Sequence, residues 1–465
     1  MPPFAGSHPL SHGFSRNSID SYSNIVTIDV GGQLFQTTKQ TLKQSGSKSL
    51  LSEISGSDFD GSIPFIDRDP EMFSILLSLL RTGNLPSKAK SFDIQDLVFE
   101  SQFYGVEHLL LNSQSNPSQF EPFDLEKSLI LPLSGRDSPT AIATTQLGEV
   151  QVAHGCKITS FDWSLKRKST ILTQFAGIDS MLSLSANVVA VGATDFSGLQ
   201  ILDVSKGCVN ETLNWENVTK SGSTVQGIGA SRDLLFTSFE SSRRNSNCIM
   251  VYDLNNDGFR PVAEIGHYEI FGAELDSAIP ATKLSWISSH NLLMAAGSHS
   301  GPSGVRGNIR FWDLRSGSAV WEIKENVDCF SDCTVSDDLS AILKVGVHSG
   351  EVFILDLRNI GNENSWTCLG DQRRVTNGKK EGVGSKIESH GTQVFCSKGG
   401  NLELWSEVLI GSSIKDRVFR KNSMGRAKDS CGNKITHFTF GGNKMFVTRK
   451  DQQFVEVWQS SVRGF

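Results

Sequence analysis

The residues in this chain with the clearest chemical reach are arginines set in loop-like runs. Arg243 and Arg244 stand together after two serines, and His299 and Arg306 bound a Gly/Ser stretch. Arg373 and Arg374 sit in a basic run at 372–380, and Arg417 and Arg420 in the run 415–428, where six Lys/Arg face one acid. A guanidinium offers parallel N–H donors that clamp a carboxylate or phosphate, so these runs are candidate loops for an acidic or phosphorylated protein substrate. A solvated loop face is the ordinary reading of a charge run and stands beside the sharper one. No tract interleaves basic and aromatic residues as a single-strand binder does, and a net charge of −6 gives no general pull on a phosphate backbone. Nucleic acid is not an expected partner.

Bond-making chemistry has less footing. Catalysis needs a nucleophile beside a base, or paired carboxylates, at motif spacing. The chain has no Gly-x-Ser-x-Gly elbow, no His-Glu-x-x-His and no phosphate loop, and its ten histidines lie apart. Gly31–Gly32 invites a phosphate-cradle reading, but no third glycine and no Lys-Ser/Thr follows, so the pair reads as a two-residue hairpin turn. Eight cysteines are scattered between Cys156 and Cys431; Cys329 and Cys333 are the one close pair and lack partners at zinc spacing. The expectation is a non-enzyme with no metal and no cofactor. Its reduced thiols point to the cytoplasm, with the nucleus as second compartment. The longest apolar stretch, 74–80, is too short to cross a bilayer, so no membrane partner is expected.

Loops need a frame, and a repeat supplies it. A strand signature of alternating apolar residues ending in an aromatic or leucine, usually followed by Asp, recurs seven times. It ends at Asp162, Asp203, Asp253, Asp313, Asp356, Ser406 and Gln459, in steps of 41, 50, 60, 43, 50 and 53 residues. Repeats of that length, separated by Gly, Asn, Ser and Asp turns, predict a radial β-array of seven blades with three or four strands each. The run 128–133, lying before the first repeat, is expected to supply the outer strand that closes the last blade beside 454–458. Trp312, Trp405, Trp458 and Tyr252 share one register at the strand ends, which predicts core packing rather than an aromatic ligand cage.

A smaller module precedes the array. Residues 25–30 and 33–38 flank the Gly-Gly turn as two strands. From 65 to 86 comes a helix whose punctuation is complete: Asp69 at the N-cap, Pro70 in the first turn, Arg81 near the end and Gly83 at the left-handed exit. Those roles leave Asp67 and Arg68 without an internal duty. Residues 91–111 predict a further helical piece that breaks near Tyr104–Gly105. Between 20 and 115 stand 7 Lys/Arg and 12 Asp/Glu, so this module is acidic while the remainder is almost balanced. The expected domains are a disordered leader at 1–23, an α+β module at 24–112, a linker at 113–126 and the all-β array at 127–465.

The blocks IVTIDVGGQLFQTT, FIDRDPEMFSILLSLLRTGNLP and ESQFYGVEHLL make the first module resemble the potassium-channel tetramerisation type of BTB/POZ domain. The array is similar to WD-repeat β-propellers, although Trp312–Asp313 alone spells the dipeptide and Gly266–His267 is the sole Gly-His pair. The resemblance implies self-association into a homo-oligomer of four or five copies, with Asp67 and Arg68 at the subunit contact. It also implies docking to cullin 3, for which the loop 55–61 with Phe59 and Asp60, and the following helix with Phe73, are the expected face. The whole chain then reads as a substrate-recognition adaptor of a cullin 3-RING ubiquitin ligase. An oligomeric signalling or assembly scaffold without ubiquitin coupling is the alternative that the resemblance leaves open.

Overall fold

The computed structural model describes residues 24–47, 49–56, 62–114, 120–255, 258–269, 279–301, 304–359, 366–370, 381–408, 417–424 and 433–460. The chain divides into two compact units, Met1–Gln114 and Ser115–Phe465.

In the first unit, β1 (Ile25–Val30) and β2 (Gln33–Thr38) pair antiparallel from Val30↔Gln33 to Ile25↔Thr38, and β3 (Phe65–Ile66) adds parallel to β1. Gly31 and Gly32 turn the hairpin at φ +57° and +86°, a backbone region open to glycine at little cost. Gly31 has a second reason to be glycine: a Cβ there would stand 2.4 Å from the Arg68 carbonyl oxygen. Helices α1 (Lys39–Lys43) and α2 (Leu50–Gly56) follow β2; α3 (Pro70–Thr82), α4 (Ile94–Tyr104) and α5 (Glu107–Gln114) follow β3. The sequence punctuation of α3 works as expected. Asp69 accepts the N–H groups of Glu71 and Met72, Pro70 opens the helix, and Gly83 closes it at φ +73°. Phe73, Leu76, Leu77 and Leu80 on the inner face are buried, and Phe73 packs between Phe35 and Tyr104 at ring distances of 4.9 and 5.1 Å. Gly105, at φ +72°, ends α4 where the break was expected.

The second unit contains seven four-stranded antiparallel sheets among the described residues. Blades 1 to 6 are sequential meanders at 139–172, 180–213, 223–269, 283–325, 330–368 and 387–424. Blade 7 takes three strands from 435–460 and its fourth from Leu125–Pro132, in register Phe454↔Pro132 to Ser460↔Leu125. The first strands of the blades touch their neighbours in cyclic order, blade 7 meeting blade 1, so the array is a closed propeller.

The recurring signature forms the third strand of every blade. Its aspartate has a physical task that spacing alone did not disclose. Asp203, Asp253, Asp313 and Asp356 each turn a side-chain oxygen onto the N–H two residues later, holding the turn into the fourth strand. The signature aromatics are mostly core: Tyr252, Trp405 and Trp458 are buried. Trp312 departs from the expectation and is half-buried, because its indole lies at the outer side of the blade 3–4 cluster, in the space left by Gly266. Gly266 therefore sits in the outer strand Arg260–Glu269 as a partner of Trp312, not as the Gly-His element of a WD repeat.

Candidate interaction surfaces

On the first unit, Asp67, Arg68 and Asp69 form an exposed step between β3 and α3. Asp67 is exposed. Arg68 turns out to have an internal duty: its guanidinium lies 4.0 Å over the Phe103 ring and 3.6 Å from Glu100 Oε2. Glu100 is buried, and desolvation raises its carboxyl above the usual range although Arg68 opposes the shift. Phe99 and Phe103, four apart on α4, remain 64% and 41% exposed, and Phe65 on β3 is 62% exposed. Exposed phenylalanines on so small a unit, beside a cation that spans one of them, mark a surface built for contact. The sequence carried this signal as the spacing Phe99-x-x-x-Phe103, but three helical residues between them and the buried pair Leu97–Val98 drew attention to the opposite face.

Of the residues expected on the cullin-facing surface, Phe73 is corrected. Phe59 and Asp60 lie outside the described residues. Phe73 is fully buried against Phe35 and Tyr104, so it holds the core and presents nothing to a partner.

On the propeller, antiparallel meanders send all second-to-third turns to one face and all third-to-fourth turns to the other. Arg243 and Arg244 occupy such a second-to-third turn of blade 3; both are exposed, and Arg244 takes φ +53°. His299 and Arg306 were expected in a loop, yet they are cross-strand partners in a long hairpin of blade 4. Strand pairing there runs on from Leu292 to Gly301, since small Gly and Ser residues bar neither pleat nor ladder. Arg244 and His299 converge on Glu240, whose carboxyl is raised by burial and lowered by these two neighbours. These four residues thus share one face.

Arg417 and Arg420 do not join them. Arg417 and Arg420 stand at the start and middle of the outer strand region of blade 6, where the run 415–428 contains the strand Val418–Met424. Arg417 is tied to the scaffold: it lies 3.3 Å from Glu407 and 3.8 Å from Asp356, and donates to the Leu339 carbonyl at 2.5 Å. A guanidinium so engaged braces blades 5 and 6 and is a poor free clamp. Arg420 is exposed, while Arg373 and Arg374 lie outside the described residues.

At the hub, the first strands of blades 4 to 7 surround a cavity of about 220 Å³. Lys283 of blade 4 reaches Glu388 of blade 6 at 2.8 Å and Asp332 of blade 5 at 4.0 Å. Those carboxylates keep its ammonium above the usual lysine range despite burial. Asp332 also accepts the Ile387 N–H at 3.1 Å, stitching blade 5 to blade 6. Sequence reading missed this cluster because its members are 49 to 154 residues apart, counting from Lys283 to Asp332 and to His437. Among the described residues, no group of three or more His, Cys, Asp or Glu is arranged to hold a metal, and no helix is long and apolar enough to cross a membrane.

A family model described as "BTB/POZ domain" matches residues 26–114, and one described as "At2g24240-like, C-terminal beta propeller" matches residues 134–460. The Arabidopsis thaliana BTB/POZ domain-containing protein At5g41330 is 60% identical over 457 residues, covering 96% of this chain and 98% of that protein. The A. thaliana BTB/POZ domain-containing protein At2g24240 is 26% identical over 462 residues, with coverages of 94% and 97%. A potassium channel regulatory protein of Mus musculus is 36% identical over 95 residues, covering 19% of this chain and 36% of that protein. A chain in the crystal structure of a mitotic checkpoint complex matches 73% of this chain and 94% of its own length with TM-score 0.50 at 14% identity, a likeness of fold alone.

Proposed function

We propose a function on the premise that this chain belongs to the BTB/POZ proteins with an At2g24240-like C-terminal β-propeller. It acts as a substrate-recognition adaptor of a cullin 3-RING ubiquitin ligase in the cytoplasm, and in the nucleus as second compartment. The BTB unit self-associates and docks cullin; the propeller holds the protein to be modified. The observation that carries this reading is the joining of two binding folds in one chain. One is of the tetramerisation type, with exposed Phe65, Phe99 and Phe103 beside Arg68; the other is a closed disc with a charged face.

Such an adaptor transfers no group itself. It raises the effective concentration of target lysines near the ligase, and several discs per oligomer let weak contacts sum into retention. Self-association is the step best supported, since the potassium channel regulatory protein and this chain share the same module. The test is light scattering on the full chain, followed by capture of cullin 3. The expected result is a mass of four or five copies with cullin retained. Stable oligomers that bind no cullin over a range of salt would instead identify an assembly scaffold, and a monomer would end both readings.

A further inference from the structure

The hub cavity has a division of charge that neither blade packing nor ubiquitin transfer requires. Lys283 is fully engaged, lying against Glu388 and Asp332, and Asp332 also receives the backbone N–H groups of Ile387 and Cys333. Two other lining residues, Lys386 and His437, are not engaged in this way. Lys386 has no carboxylate at ion-pair distance among the described residues. His437 Nδ1 is buried with no hydrogen-bond partner. A buried polar atom without a hydrogen bond is costly, so a ligand that supplies the missing partner is favoured there. Glu388, two residues beyond Lys386 in the chain, spends one oxygen on Lys283 and keeps 36% of its side chain exposed.

The cavity lining thus brings together a cation at Lys386, an unpartnered ring nitrogen at His437, which donates in the tautomer protonated at Nδ1, and a carboxylate at Glu388. Burial, reinforced by the nearby Lys386, brings the His437 imidazole down to about 4, so at neutral pH it is uncharged, and among the described lining residues Lys386 is the lysine without a carboxylate partner. A dianion such as phosphate would add two charges beside the Glu388 and Asp332 carboxylates, which share the single ammonium of Lys283. A single carboxylate with an N–H donor beside it meets every group with its complement. The volume of about 220 Å³ is smaller than the roughly 300–1,000 Å³ of drug-sized sites and suits a ligand of amino-acid size.

We propose that the hub cavity binds a carboxylate flanked by an N–H donor, the carboxylate held by Lys386 and His437 and the donor by Glu388. A free amino acid and an acidic residue of a captured peptide share this chemistry. The cavity lies where the first strands begin, at the same end of the disc as the turns that carry Arg244 and His299, so a peptide lying across that face has access to it.

The experiment is titration calorimetry on the full chain with three probes at matched ionic strength: free glutamate, acetyl-Gly-Glu-Gly-amide, and the same tripeptide with glutamine. The expected result is saturable heat for glutamate or for the glutamate tripeptide and none for the glutamine control. Lys386→Met should weaken that binding at least about tenfold, the loss expected for a hydrogen bond to a charged group, while Lys386→Arg preserves it. Preference for the tripeptide assigns the site to protein capture and rests on the adaptor reading. Preference for free glutamate makes it a small-molecule site that stands even if that reading fails. No saturable heat from either carboxylate, or binding unchanged in Lys386→Met, overturns the proposal.

Discussion

Lys344 Nζ lies 2.5 Å from Glu325 Oε2 at the seam between blades 5 and 4, with both side chains under a tenth exposed. The Glu325 carboxylate also takes the Trp366 indole N–H, and the Lys344 ammonium stands 4.7 Å over the same indole. Each charge is therefore satisfied by the other and by the ring. Removing one strands its partner in a dry seam. Lys344→Met should lower unfolding free energy by about 3–5 kcal/mol, whereas Lys344→Met with Glu325→Gln should recover a large part of the loss. Denaturant titration of the two variants checks this, and equal losses in both would show that the pair contributes nothing as a pair.

Asp67 and Arg68 should separate assembly from folding. Asp67 is exposed, so Asp67→Lys should shift the thermal midpoint little while lowering the light-scattering mass. Arg68→Glu faces Glu100 with like charge and strips the cation from Phe103, so it should lower both mass and midpoint. Full mass in both variants would remove this step from the subunit contact.

Closure of blade 7 rests on Leu125–Pro132, whose Leu131 is buried with Val455 and Val457. Leu131→Ala should cost about 2–5 kcal/mol, as for other buried leucines. Deletion of 125–135 should depress the melting midpoint of the propeller further. An unchanged melting curve after the deletion would show that the strand is an ornament of the seam.

The turn aspartates predict acid lability with a defined sign. Hydrogen bonds from Ser205 and Lys206 hold the Asp203 carboxyl down to about 2, and the Arg315 and Arg358 partners depress Asp313 and Asp356. A depressed folded value means stability that is complete above the ordinary carboxylate range and lost as pH falls through the folded value. Glu100, Glu149 and the half-buried Glu240 are raised by desolvation and act oppositely, losing stability as pH rises through their range. Asp203→Asn should therefore flatten the fall in thermal midpoint between about pH 4 and pH 2, the interval from the ordinary Asp value down to the folded one. A wild-type slope in that variant would assign the acid transition elsewhere.

Much of the fold is legible because its determinants are local. Asp69, Pro70 and Gly83 write the two ends of α3 within 15 residues, and the signature strand repeats the same alternation in each blade. The surfaces are less legible because they depend on distance. His299 and Arg306 looked like loop residues, since a Gly/Ser stretch says nothing about whether a partner strand runs alongside. Phe73 looked available because a helical stripe shows which residues share a face, not which face is inward. Arg417 reads as one more cation in a basic run until Glu407 and Asp356 close on it. Phe120 is the clearest case: one of two phenylalanines in an expected linker, it packs among His390, Phe395 and Phe440 of blades 6 and 7.

The placing of Ser128 against the Val457 carbonyl, 329 residues apart, has a consequence for synthesis. At about 5–20 residues per second, a ribosome needs roughly 15–65 s to deliver the partner after the first segment has emerged. Throughout that interval the apolar stretch waits unpaired on the nascent chain. A chain that stops short of residue 454 leaves Leu125–Pro132 without its partner strand, and the ring stays open at that one border.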